Sequence, residues 1–445
     1  MKTPKHYAVI GGGVSGMAAA HYLLRAGKTV DLFEASDRLG GRMAIDQFMG
    51  EEVCFGGKNI GYAYTEFRNF LEHYGDPSYE YFGINSARLI RGQPYSFKSE
   101  HKIRNALMLL QSGKLSDLVK LKRLMTQLKR NREQGDLNGL ILKPSDNHSL
   151  HSLFSSKFSD SIIRALTVRM NGAEPYEIAV ENFGTHLQML GDGYEQLNNP
   201  LSDIFNQFSK HPDLTIRYHQ SVERILRSET GCAIKVSGGQ STYDGVIIAT
   251  PAHISASLCQ AEFSNISEAL KAVRYFPVAV IIADYEENVF TPDIRAMVFG
   301  ADSPLSNIGA YGVSSLNRVR YNFSGKAARL LFDEKPGDDY LLTMAEAQAR
   351  PYFNLSKNPC LGFKVKYWAK ALCGYTNDEA LFQARLRTAL QSAAGLELAG
   401  DYRKGASIEN CFRSAKSAVE SLLGAETSSA QTSHKNTSME GYAHV

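Results

Sequence analysis

The sequence predicts an α/β fold in which a parallel-sheet domain is joined to a second, α+β domain carrying a helical insert. Three observations carry that expectation. The chain opens as strand, glycine turn, helix, strand; residues 98–182 then turn mainly helical; and strand-like runs return from Thr215 onward. With 445 residues and 43% hydrophobic content the chain can bury more than one core, so two domains are the natural division.

The opening unit runs YAVI (Tyr7 to Ile10), GGGVSG, a helix from Met17 to Ala26 stopped by Gly27, and TVDLFE (Thr29 to Glu34). Gly11, Gly13 and Gly16 stand as G-x-G-x-x-G between strand and helix, with Val14 and Ser15 at the two positions before the last glycine. Such a turn lets a pyrophosphate approach bare backbone while the helix N-terminus turns unpaired N–H groups toward the anion. Ala18, Ala19 and Ala20 are small enough for the helix to pack closely on the strand. Glu34 ends the second strand, eighteen residues after Gly16, where a carboxylate can accept hydrogen bonds from both ribose hydroxyls; it also disfavours a 2′-phosphate. The unit is therefore Rossmann-like. Glu34 read alone could equally be a surface acid closing a strand.

In the insert, Leu107, Leu110, Leu115, Leu118, Val119, Leu121, Leu124, Met125 and Leu128 recur at helical spacing, interleaved with Lys114, Lys120, Lys122, Arg123, Lys129, Arg130 and Arg132. A basic amphipathic helix of this kind can rest on an anionic membrane, but a solvated face covering a core is the simpler reading. TIRYHQSVERIL (Thr215 to Leu226), CAIKV (Cys232 to Val236) and GVIIAT (Gly245 to Thr250) read as strands, and residues 272–363 mix strands such as PVAVIIADY with polar loops. Near the end, Ile408, Cys411, Phe412, Ala415, Val419 and Leu422 share one helical face, with Ser407 as N-cap and Gly424 as stop. The remainder, 425–445, is rich in Ser, Thr, His and Asn and is expected to be disordered.

Composition excludes several classes. The 49 basic and 46 acidic residues leave a net charge of +3, and no recognition module surrounds the basic run, so nucleic acid is not an expected partner. Six scattered cysteines show neither C-x-x-C pairing nor a metal-like spacing with His, which points to free thiols in a reducing compartment and to no metal. There is no apolar run of 18 residues and no room for a signal peptide before the first strand. The expected location is cytoplasmic, peripheral to a membrane if the basic helix meets one.

The run Glu34-Ala35-Ser36-Asp37-Arg38-Leu39-Gly40-Gly41-Arg42, following the glycine turn, resembles the extended dinucleotide motif of the FAD-dependent amine oxidase, protoporphyrinogen oxidase and phytoene desaturase superfamily. Phe55-Gly56-Gly57-Lys58-Asn59-Ile60-Gly61 stands where these flavoproteins carry a glycine-rich segment under the flavin, with Cys54 in place of the usual Asp. The run Ser221 to Ile225 is similar to the strand whose Val, here Val222, holds the adenine, and Gly191 to Leu197 and Ile248 to Pro251 follow in the family's order. Gly400-Asp401-Tyr402 with Ser407-Ile408-Glu409 resembles the closing FAD motif, Asp401 binding the ribityl chain and the next helix beginning under the flavin. Ser414-Ala415 replaces the usual Ser-Gly there.

The resemblance implies a glutathione-reductase-like fold with noncovalent FAD held along most of the chain. Residues 1–97, 183–265 and 364–424 would form the FAD-binding domain, 266–363 the substrate domain and 98–182 its insert. It places Gly11, Gly13, Val14, Ser15, Gly16, Glu34, Ala35, Gly41, Arg42, Gly57, Lys58, Asn59, Val222, Asp401, Ser407 and Ile408 at the cofactor, Arg42 as a donor fork to the diphosphate.

No second G-x-G-x-x-G unit is present for a nicotinamide, so the expected reductant is the substrate itself, with dioxygen or another acceptor taking the electrons. Amine oxidases of the superfamily often carry a lysine water-linked to flavin N5; the corresponding run Val273 to Ile281 has none. That shifts the expectation toward dehydrogenation of a hydrophobic or cyclic, sometimes amine-containing, small molecule by hydride transfer. An amine or amino-acid oxidase and a non-redox isomerase or mutase stay open. Lys58, Tyr311 and Tyr375 are candidate catalytic residues because glycine-containing segments carry them. Trp368, in Tyr367-Trp368-Ala369-Lys370, resembles the family's aromatic segment and is either core or active-site wall.

Overall fold

The structure is a computed structural model that describes residues 5–82, 87–90, 93–96, 105, 107–108, 111–133, 149–184, 186–187, 192–229, 231–375 and 379–439. Its first sheet is wholly parallel, in the order Leu214–Arg217, Thr29–Phe33, His6–Ile10, Gly245–Ile248, Leu396–Leu398. The central strand alternates as a pleated strand buried on both faces must. Tyr7 and Val9 enter one layer with Met17, Leu23, Phe412 and Val419, while Ala8 and Ile10 enter the other with Ile225, Ala252 and Leu386. The first layer is the helix Val14–Arg25 packed on the helix Ile408–Met439. At roughly 1.5–3 kcal/mol for each fully buried large apolar side chain, that packing is strong enough to hold the distant C-terminal segment against the glycine turn.

The second sheet has seven strands, ordered Cys360–Cys373, Tyr275–Tyr285, Arg318–Phe323, Leu305–Ala310, Ala296–Val298, Ala87–Ile90, Gln93–Ser96. All neighbours are antiparallel except Ala296–Val298 with Ala87–Ile90. One face packs on the helices Lys326–Asp333 and Asp338–Ala349; the other presents Val278, Val280, Ile282 and Ala371 to Phe48, Val53 and Phe55 of the first domain. Two boundaries differ from the sequence reading, which put 87–96 and 364–373 in the FAD-binding domain. Alternation identifies a strand but not its partner, and here both segments hydrogen-bond into the second sheet.

The insert is helical, and its basic helix Leu115–Glu133 turns Leu118, Leu121, Leu124, Met125 and Leu128 onto a core of Leu150, Phe154, Phe158 and Phe183. The apolar stripe is thus spent on packing, while Leu107, Leu115 and Val119 stay exposed. Leu110 lies outside the described residues. No helix among the described residues is long and apolar enough to cross a membrane. The last helix does not stop at Gly424 but is continuous from Ile408 to Met439. One interior glycine costs only about 1 kcal/mol, too little to end a helix whose following residues include good helix formers. Residues 440–445 lie outside the described ones.

Candidate functional site

A cleft of about 650 Å³ runs along the carboxyl ends of the parallel strands and continues beneath the second sheet. Its floor begins at the glycine turn. Gly11 adopts φ +102° and donates its N–H to Phe33 O at 2.8 Å, and Gly11, Gly13, Val14 and Ser15 all line the cleft. Gly16 does not reach it. A Cβ there would sit 1.7 Å from Gly11 O, so its role is to let helix and strand close on each other. Gly41, at φ +52°, lies so near Gly13 that a Cβ would fall 3.0 Å from the Gly13 Cα, and between them they leave a side-chain-free passage.

At one end of this passage Glu34, Ala35 and Val222 form the wall with Gln220 and Ser221. The Glu34 carboxylate accepts from Gly12 N at 2.7 Å and from Ser36 N and Oγ at 2.8 and 2.6 Å, which fixes it at the cleft edge. Gln220 Oε1 is buried without a hydrogen-bond partner, an acceptor aimed at nothing in the protein. Such an orphan beside a glycine-lined passage and a fixed carboxylate fits an adenosine, with its exocyclic donor and ribose hydroxyls.

Arg42 and Asp401 meet in the middle. Arg42 Nη1 donates to Asp401 Oδ2 and to Ala371 O, each at 2.7 Å, and Asp401 Oδ1 accepts from Tyr275 Oη at 2.9 Å. Burial opposes the charge on Arg42, but Asp401 outweighs it and holds the guanidinium firmly protonated. The fork expected to reach a diphosphate is therefore partly committed within the protein. Tyr375 stands behind the pair, its hydroxyl donating to Asp401 O; it supports the turn and does not line the cleft.

Under the inner part of the cleft, Gly57 packs against Ile408, the first residue of the last helix, and both line it. Ser407 is the N-cap, its Oγ accepting from Asn410 N at 3.1 Å, and is not itself in the wall. Cys411, expected in the core, does reach the wall; burial and then the charge of Asp401 push its thiol up to about 11.

The two residues after Gly57 turn away. Asn59 accepts from Gln196 Nε2 at 3.0 Å. Lys58 Nζ donates to Gln196 Oε1 at 3.1 Å and to Tyr311 O, and lies over the Tyr311 ring. Burial first, then the charge of Arg320, holds the Lys58 amine well below the usual lysine range. Tyr311 in turn accepts from Cys54 N at 2.7 Å. Of the four residues expected to do chemistry, Trp368 lines the cleft wall, while Lys58, Tyr311 and Tyr375 stand behind it.

The wall opposite is apolar where Val278, Val280, Trp368, Leu372 and Met170 line it. Two residues missed in the sequence interrupt it: Arg169, on the helix Arg164–Asn171, and Arg320, on the strand Arg318–Phe323. Arg320 donates to Gly56 O (2.8 Å), Phe55 O (2.5 Å), Cys54 O (3.3 Å) and Asn322 Oδ1 (3.0 Å). The available signal was Arg318-x-Arg320-x-Asn322, three polar residues on one face of a strand whose neighbours are otherwise apolar. For Arg169 there was none, since a basic residue on an amphipathic helix is ordinary.

Glycine surfaces, a fixed carboxylate, the orphan amide of Gln220 and a capped helix end all fit FAD. The comparisons agree. The sequence pattern described as flavin containing amine oxidoreductase matches residues 14–423. The chain is 23% identical to the coproporphyrinogen III oxidase of Mycobacterium bovis, over 95% of this chain and 98% of that protein. It shares its fold with cyclohexylamine oxidase from Brevibacterium oxydans (TM-score 0.74, 15% identity, 96% and 100% of the two chains covered). It shares it also with a UDP-galactopyranose mutase (TM-score 0.70, 15% identity, 95% and 94%).

Proposed function

The chain belongs to the flavin containing amine oxidoreductase family and is an FAD-dependent enzyme, and from that premise we propose that it oxidises a small organic substrate with a hydrophobic or cyclic body, drawn as hydride from a C–H bond. The observation that carries this reading is the cleft wall of Val278, Val280, Trp368, Leu372 and Met170, which offers an apolar skeleton a dry seat and presents no lysine. Bound FAD supplies the two-electron acceptor.

The chain's own residues then hold and exclude. Gly11, Gly13, Val14 and Ser15, which line the cleft, would receive the diphosphate; Glu34 would take the ribose hydroxyls; Ala35 and Val222 would hold the adenine, Arg42 and Asp401 the ribityl chain, and Gly57 and Ile408 the ring. Glu34 and Asp401 are the only carboxylates among the described lining residues, and both have partners already, so no unpartnered carboxylate among them faces the apolar wall. Positioning and exclusion of water are then the protein's main contribution.

The test is anaerobic mixing of the FAD-loaded protein with a cyclic amine, an amino acid and a reduced tetrapyrrole. Bleaching of the oxidised flavin band by any of them supports oxidation. A substrate that is turned over while the band never bleaches sinks it, and favours a non-redox rearrangement such as the name of the structurally similar mutase describes.

A further inference from the structure

We propose that Arg320 is a positioning residue for the flavin: it pins the floor of the ring seat from the second sheet, and its unmatched positive charge favours the reduced ring over the oxidised one. The proposal rests on the placement of Gly57 at the ring given above. Its geometry begins with three successive carbonyls. Arg320 donates to the oxygens of Cys54 at 3.3 Å, Phe55 at 2.5 Å and Gly56 at 2.8 Å, the residues that lead into Gly57. The segment is held from its other side as well. Gly56 N donates to Met43 O at 2.8 Å, and a Cβ on Gly56 would fall 2.0 Å from Arg42 O. Phe55, Gly56, Gly57 and Arg320 all line the cleft.

Among the described residues Arg320 has no carboxylate partner. Its remaining bond goes to the side-chain oxygen of Asn322 at 3.0 Å, so carbonyl and amide dipoles take all its donated hydrogen bonds. Arg318, two residues earlier on the same face of the strand, is treated differently: it receives both oxygens of Asp284 at 2.7 and 2.8 Å and Glu51 at 2.5 Å. The register makes the difference. Asp284 stands across from Arg318, whereas Ile282 and Gly309 stand across from Arg320. Dipoles satisfy hydrogen bonds without cancelling net charge, and burial, the chief cause that lowers the basicity of Arg320, does not discharge a guanidinium. A fixed cation in a cleft of low dielectric is worth most where negative charge develops. Such charge arises on a flavin ring when it is reduced, and charge beside the ring is one means by which a protein tunes it.

The midpoint potential of the FAD-loaded protein is measured by dye-equilibrated photoreduction, and the affinities of the apoprotein for oxidised and reduced FAD are titrated without oxygen. Arg320→Gln is expected to weaken binding of reduced FAD at least ~10-fold more than that of oxidised FAD, which lowers the potential by about 30 mV for a two-electron couple. Arg320→Lys keeps the charge while losing the planar fork, and should recover most of that shift. A loss of affinity equal for both forms leaves the potential unmoved and marks a purely structural clamp; that result overturns the proposal. So does a Lys variant whose potential falls as far as that of the Gln variant. Should Arg320→Gln take up no FAD, Asn322→Asp decides: it sets a carboxylate against Arg320 Nε with the three carbonyl bonds left in place, and a potential unmoved there overturns the proposal too. No substrate enters these measurements, so the two readings fail separately. Turnover without bleaching of the flavin removes the proposed oxidation and leaves Arg320 standing; an unmoved potential in a protein whose flavin is bleached by substrate does the reverse.

Discussion

The Arg42 guanidinium lies 2.7 Å from the carboxylate of Asp401, a residue 359 positions later in the chain, and the contact joins the loop after the first βαβ unit to the start of the closing segment. Asp401 is nearly fully buried, whereas the Arg42 side chain is 35% exposed. Replacing Asp401 by Asn leaves the arginine charge without its counterpart. We expect a loss of about 3 kcal/mol, the low end for a broken buried pair because Arg42 keeps some access to water. The double variant Arg42→Met with Asp401→Asn should recover most of that stability while still binding FAD poorly. Chemical denaturation and FAD titration of the apoprotein check both halves; a double variant no more stable than the single one would show that the pair's charge balance is not what matters.

Gly16→Ala tests the turn. The added methyl would meet Gly11 O far inside contact distance, so strand and helix must separate. A cost of about 1–3 kcal/mol is the usual result of such overpacking. The more specific effect is displacement of Gly11 and Gly13, hence purification without the yellow cofactor. Full FAD content in the variant would contradict the placement of the turn.

Lys58→Met separates the structural from the sequence expectation, which had this lysine acting on the flavin. The folded protein holds the amine below its ordinary value of 10.5. Between the folded and unfolded values the unfolded chain binds more protons, so stability contributed by this site rises with pH through that window. The variant lacks the group. Its melting temperature should therefore exceed that of the wild type near neutrality, with the gap narrowing as pH rises toward 10.5, and FAD should remain bound. A gap that widens with pH would mean the lysine is stabilised in its charged form.

His186 is a second buried base, 0% exposed. Burial lowers it from 6.5 to about 4. The neutral ring is the folded form, so as pH falls below 6.5 the unfolded chain takes up the proton first and stability is lost, by about 3 kcal/mol at pH 4. His186→Leu should flatten that acid limb and leave neutral stability little changed. Denaturant midpoints at pH 7 and pH 4.5 suffice to compare them.

The parts of the site legible in the sequence are those whose geometry is local. Gly11, Gly13, Glu34, Gly41 and Asp401 belong to short motifs in which spacing dictates backbone shape, and each lines the cleft. Lys58 adjoins Gly57 without sharing its place in the cleft lining: in an extended segment successive residues face opposite ways, so a glycine at the floor sends its neighbour elsewhere. Arg169 and Arg320 come from a helix of the insert and a strand of the second sheet, and nothing in either segment announces the other. For the same reason strand character was visible at Tyr275–Tyr285 while its partner Cys360–Cys373 was divided between domains.

The parallel sheet draws its strands from residues 6–33, 214–248 and 396–398, and the cleft floor is completed only by Asp401 and Ile408. A ribosome emerging with the first βαβ unit thus presents a glycine turn with no ring seat, and the intervening chain must be synthesised before the two ends can meet. Cofactor capture is consequently a late, whole-chain event. Truncation before Ile408, far in sequence from the glycines, would remove part of the cleft floor and leave the polypeptide unloaded.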